Sequence, residues 1–131
     1  MQRFVILSTL LVASLVLTSS TAFGQHFEPA TEDGISHSIV IQAASINDAD
    51  LVDGDEIGVF TSGGVCAGAV IIEGDPTWGL AAFGDDPSTE EEVEGFLVGE
   101  EFTFLLYDES ENSEYEAVIH FGDGDQTWQV D

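Results

Sequence analysis

Apolar and polar residues alternate with a period of two along most of the chain, the spacing of strands that bury one face. Between Ile35 and Ile46, the residues Ile35, His37, Ile39, Ile41 and Ala43 fall on one side, with Ser36, Ser38, Val40, Gln42 and Ala44 on the other. Asn47-Asp48-Ala49-Asp50 reads as the turn that ends this run. Glu56 to Thr61 is the next strand, and Ser62-Gly63-Gly64 is a hairpin signal into Val65 to Ile72. Asp75-Pro76 breaks the pattern before Trp78 to Phe83. The polar segment Gly84 to Glu94 follows, with a short helical turn expected at Ser88 to Glu91. Phe102, Phe104 and Leu106 then alternate with Thr103, Leu105 and Tyr107. After a turn at Asp108 to Ser113, Tyr115, Ala117, Ile119 and Phe121 alternate with Glu116, Val118 and His120, and Gly122 to Asp125 turns into Thr127 to Val130. With about seven short strands and no long helical period, the pattern predicts an all-β fold, an antiparallel β-sandwich. Gln25 to Asp33 is expected to be an ordered lead-in or a frayed edge.

The first residues break this pattern and read as a processing signal. Gln2-Arg3 is a short positive start, Phe4 to Leu17 is apolar, and Ala22-Phe23-Gly24 offers the small residues a signal peptidase needs, so cleavage is expected after Gly24. The apolar run is shorter than the ~20 residues of a spanning helix, and no basic flank follows it to stop transfer. No cysteine closes it, which excludes a lipoprotein. Residues 1–24 are therefore expected to be a signal peptide, and 25–131 a single secreted or envelope-located module of 107 of the 131 residues.

Charge sharpens the picture. All 26 acidic residues lie after Gly24, while Arg3, the one Lys or Arg, lies before it, so the mature chain has no Lys and no Arg. Phosphate neutralisation needs Lys or Arg, which excludes nucleic acid as a direct partner, and an anionic membrane surface with it. The chain is 44% hydrophobic, which with its strand periodicity argues for a folded domain rather than a disordered polyanion. Spread over the surface of a chain this size, the carboxylates would sit roughly 15 Å apart. At that distance two charges repel by only about 0.3 kcal/mol in water, and a ~8 Å Debye length removes most of it. Complete loss of Lys is a whole-surface property, so adaptation to concentrated salt is favoured over a single cation site. Cys66 is alone, so no internal disulfide forms, and its strand-like setting suits a small buried hydrophobe.

Candidate chemistry concentrates in Asp53-Gly54-Asp55-Glu56-Ile57-Gly58-Val59-Phe60. Asp48, Asp50, Asp53 and Asp55, with Asp85 and Asp86 from another loop, could offer the hard oxygens that calcium takes. Leu51 and Val52 interrupt the series and no bidentate Glu closes it, so the spacing is not that of an EF-hand. A tight turn explains each residue without a metal: Gly54 for positive φ, the aspartates for bonds to backbone, and Ile57, Val59 and Phe60 for the strand. His26, His37, His120 and Cys66 lie too far apart in sequence to suggest zinc. No nucleophile elbow, zinc-protease motif or phosphate loop occurs. A paired-carboxylate glycosidase needs a cleft for which a chain of this size has little room. Neither enzymatic activity nor a cofactor other than calcium is expected. Trp78, Trp128, Tyr107 and Tyr115 could form a stacking platform for sugars. Trp78, Phe102 and Phe104 are expected in the core, and Trp128, near the end of the chain, is expected exposed and is the candidate ligand-binding ring.

Several segments together resemble a secreted module of bacterial cell-surface proteins. They are Ala49 to Phe60, Cys66-Ala67-Gly68-Ala69, Ala82 to Thr89, Val93-Glu94-Gly95-Phe96 and Gly122-Asp123-Gly124. The pattern is roughly "GDEIGVF", "CxGA", "DDPxT" and "GDG" in that order, and often precedes a C-terminal sorting domain. The resemblance implies a role at the cell surface and carries no catalytic residues. Two departures are Thr61-Ser62-Gly63-Gly64 in place of an acidic hairpin, and the end of the chain at Asp131 with no sorting domain, which puts surface attachment in question. The reading is a secreted, non-enzymatic structural or adhesive module in contact with an extracellular protein, a polysaccharide or another copy of itself. The alternatives are a carbohydrate-binding module and a calcium-stabilised surface domain.

Overall fold

Eight short strands form where the alternation is strongest. The computed structural model describes residues 25–89, 91–124 and 126–130; the expected signal segment, residues 1–24, lies outside them, as do Glu90, Asp125 and Asp131. The strands are β1 (Ser36–Ile41), β2 (Ser45–Ile46), β3 (Ala49–Asp50), β4 (Glu56–Phe60), β5 (Cys66–Ile71), β6 (Trp78–Phe83), β7 (Thr103–Asp108) and β8 (Ser113–Glu116). All pairings between them are antiparallel, and no helix occurs among the described residues. The fold is all-β, as expected.

The central sheet has four strands in the order β5-β4-β7-β8, and a two-stranded sheet, β1-β6, packs against one of its faces. On this inner face the register aligns Ile57 with Val70 and Leu106, and Val59 with Gly68 and Phe104. From the opposing sheet, Trp78, Leu80 and Ala82 are buried against them, with Ile39 and Ile41 beside them. Gly68 matters here: a Cβ at that position would collide with the Ala81 carbonyl, so only glycine lets the β6 backbone come so close. Phe96 and Phe102 meet edge to face at 5.1 Å and close one end of the core.

The departures from the expected elements have local causes. The run Ile35 to Ile46 breaks after Ile41, and Ser45–Ile46 pairs instead with Ala49–Asp50. Asn47 and Asp48 both take positive φ, 52° and 66°, the geometry of a two-residue hairpin turn. The helical turn expected at Ser88 to Glu91 is a hydrogen-bonded turn, Thr89 N–H to Asp86 C=O at 3.1 Å, with Glu90 outside the described residues. Beyond β8, Ala117 and Ile119 keep facing inward, but only the Ala117 N–H to Phe104 C=O bond continues the ladder there. Thr127 to Val130 forms no strand; a bridge from Thr127 to Glu101 and two bonds through Trp128 hold it.

Candidate functional site

Residues 52–56 turn the chain into β4, and their carboxylates serve the backbone. Gly54 has φ +97°, as the turn reading requires. Asp55 is buried, and its two oxygens accept the Val52 N–H at 2.9 Å and the Glu109 N–H at 3.1 Å. It thereby closes its own turn and ties it to the turn after β7. Asp53 is exposed and accepts the Gly74 N–H at 2.8 Å. A buried carboxylate without donors would be costly, and in residues 25–131, which hold no Lys or Arg, the backbone supplies them.

Asp48 and Asp50 lie on the neighbouring β2-β3 hairpin, both exposed. A shallow depression of about 160 Å³ beside them is lined by Asp50, Asp55, Asp108, Leu51, Val52 and Ser110. Asp108 accepts the Ser110 hydroxyl at 2.7 Å, which holds its carboxyl below the usual range. Asp86 is held low in the same way by the Ser88 hydroxyl and N–H. Among the described residues, no three His, Cys, Asp or Glu side chains gather as they would around a metal ion.

Trp128 is not the exposed ring that its place near the chain end led us to expect. It is 3% exposed, and its indole N–H donates to the Ala82 carbonyl at 2.9 Å. The ring lies over Gly84, where any Cβ would collide with it. Trp78 is buried as expected, so neither tryptophan offers a surface for stacking. Cys66 is half-buried rather than buried; burial pushes its thiol up, a hydrogen bond with the Gly68 backbone opposes this, and the charge of Glu56 adds to it. It is a protonated thiol at neutral pH, not an activated nucleophile.

The residue that sequence reasoning missed is Glu56. It points to the outer face of the central sheet, yet is 4% exposed, because His26 and Phe27 lie over it. Its two carboxylate oxygens accept the His26 N–H at 2.7 Å and the Phe27 N–H at 3.0 Å. Phe27 is buried over Gly58, where a Cβ would stand 2.9 Å from the Phe27 ring. His26 stacks on Tyr107 with ring centroids 3.7 Å apart and planes within 6°, and its Nε2 meets the Glu114 carboxylate at 2.8 Å. The signal was present in retrospect: a glycine and an acid on the exposed side of a central strand ask for something to cover them.

No family model matches the chain, and neither a curated protein nor a solved structure matches it.

Proposed function

We propose that the chain is a secreted, non-enzymatic β-sandwich module with a structural or adhesive role, its acidic surface adapted to concentrated salt. The observation that carries this reading is where the carboxylates lie. Among the described residues, Asp55 and Glu56 are the two buried charged ones, and both bind backbone N–H groups; the other described acids reach solvent. Such a surface suits solvation in salt better than catalysis, which needs groups converging on a cleft. The resemblance to a bacterial cell-surface module supports the same setting. The burial of Trp128 removes the ring on which a carbohydrate-binding reading depended, and the bonds made by Asp53 and Asp55 weigh against the calcium reading.

The test is thermal unfolding of residues 25–131 followed by circular dichroism, in rising NaCl and, separately, in millimolar calcium at fixed ionic strength. The melting temperature should climb smoothly toward molar NaCl and ignore calcium. A saturable rise with calcium that matched magnesium does not reproduce would replace this reading with a calcium-stabilised domain, with Asp48, Asp50, Asp53 and Asp55 as the ligands to mutate.

A further inference from the structure

The N-terminal arm, residues 26–30, sits in a cleft on the outer face of the central sheet. Gly58 is its floor; Glu56, Phe60, Tyr107 and Glu114 are its walls. The cleft reads a peptide in three ways. The Glu56 carboxylate takes two successive backbone N–H groups, the space over Gly58 takes an aromatic ring set edge-on to Phe60 at 5.4 Å, and Tyr107 with Glu114 takes an imidazole. These partners lie 29 to 88 positions from the arm in sequence. The arm's last anchor is the Ala30 N–H to the Cys66 carbonyl at 2.9 Å.

Beyond Ala30 the chain is loosely held. Glu32, Asp33, Gly34 and Ile35 are exposed, and the described tie within this stretch is local, Asp33 N–H to Thr31 Oγ1 at 3.2 Å. Gly34 has φ +95° with open space around it. Only at Ile35, whose carbonyl accepts the Gly84 N–H, does the chain rejoin the sheets. A long-range anchor on a short, exposed connector is the arrangement that permits exchange of an element between identical chains, since every contact is the same in either copy. Lifting the arm would strip the Glu56 carboxylate of both N–H donors and expose the Phe27 ring and its seat over Gly58 to water, and the same arm from a second copy would restore each of these contacts.

We propose that this cleft is a peptide receptor that accepts residues 26–30 of a second copy when the chain's own arm lifts, so that copies are linked by reciprocal exchange. Two chains this acidic repel one another at low salt, and at 1 M the ~3 Å Debye length leaves little of that repulsion, so exchange is promoted by salt. The cleft stands on its geometry alone; only its use in self-adhesion rests on the module reading above, whose salt and calcium series is a separate measurement.

The probe is a synthetic peptide of residues 25–30, Gln-His-Phe-Glu-Pro-Ala, labelled at its C-terminus. The receptor is the chain from Gln25 onward carrying Phe27→Ala, its folding checked by circular dichroism. Saturable binding is expected, weakened roughly tenfold or more when Phe27 of the peptide is replaced by Ala or when Glu56→Gln is added to the receptor. The unaltered chain should sediment as a monomer–dimer mixture whose dimer grows with protein concentration and NaCl, and Phe27→Ala should abolish that dimer. Failure of the folded variant to bind the peptide overturns the proposal, as does an unaltered chain that stays monomeric at millimolar concentration in molar NaCl. Should Phe27→Ala not fold, hydrogen exchange of the unaltered chain decides. His26 and Phe27 amides that open separately from global unfolding support exchange, and amides that open only with it overturn it.

Discussion

The two faces of the central sheet are closed in opposite ways by the same strands. On the inner face, Ile57, Val59, Phe104 and Leu106 meet Trp78, Leu80 and Ala82 of the β1-β6 sheet, and apolar burial does nearly all the work of cohesion. On the outer face, Glu56, Gly58, Phe60 and Tyr107 are covered by a few residues of arm, held by directional bonds to one buried carboxylate. Burial on the inner face is shape-tolerant and roughly proportional to area. The outer closure depends on two N–H groups arriving at one carboxylate. Residues 25–131 hold no Lys or Arg to neutralise a buried acid, and Glu56 and Asp55 both use pairs of backbone donors. The acidic composition thus dictates how the inside is wired as well as how the outside is solvated.

The comparison breaks most visibly at the inner face. Trp128→Ala removes a buried ring and its bond to the Ala82 carbonyl, and should cost about 4 kcal/mol, read as a lowered urea midpoint with the transition still cooperative. A cost under about 1 kcal/mol would mean that the ring is not part of the core.

Next in size is the pair Glu56→Gln and Asp55→Asn. Each amide can accept one of the two N–H groups, but presents its own NH₂ to the other, so each should cost about 2 kcal/mol. The two should differ in what loosens. Asp55→Asn frees the Val52 and Glu109 amides at the end of β4, while Glu56→Gln frees those of His26 and Phe27 and leaves the inner-face amides protected. Hydrogen exchange that shows the same amides responding to both variants would erase the distinction between the faces.

How much of this could be read from the chain follows the same division. The inner face was legible because it rests on periodicity: Trp78–Phe83 forms as expected, and Ile57, Val59, Phe104 and Leu106 point inward as their alternation requires. The Asn47-Asp48 turn was legible from turn chemistry, although the residues flanking it pair into a small hairpin of their own. Trp128 was misjudged because nearness to the chain end is not a physical argument about burial. What buries it is Gly84, more than forty positions earlier, whose missing side chain makes room for the ring. Glu56 was illegible for a related reason. Alternation assigns it correctly to the outer face, but its cover comes from His26 and Phe27, and no local pattern reports a contact across that span.

The smallest expected effect sharpens the comparison by asking what burial adds to a carboxylate clamp. Glu100 is built like Glu56: one oxygen accepts the Leu97 N–H at 2.7 Å, the other the Ser62 hydroxyl at 2.6 Å and the Ser62 N–H at 3.2 Å. It differs in being half-buried rather than buried. Partial burial alone would raise its carboxyl, but the Ser62 hydroxyl and the Leu97 and Ser62 N–H groups outweigh this and hold it below the usual range. The folded state therefore binds the proton less readily than the unfolded chain, and stability falls as pH falls. The contribution is fully present above the ordinary glutamate value of about 4.3 and is lost as pH drops through the lower folded value. Solvent screening limits it to a few tenths of a kcal/mol. Glu100→Gln should thus lower the urea midpoint slightly at pH 7, and the gap between variant and parent should close in acid. A Glu100→Gln cost as large as that of Glu56→Gln would show that the donors alone set the strength of these clamps, and that covering the outer face adds nothing to the bond beneath it.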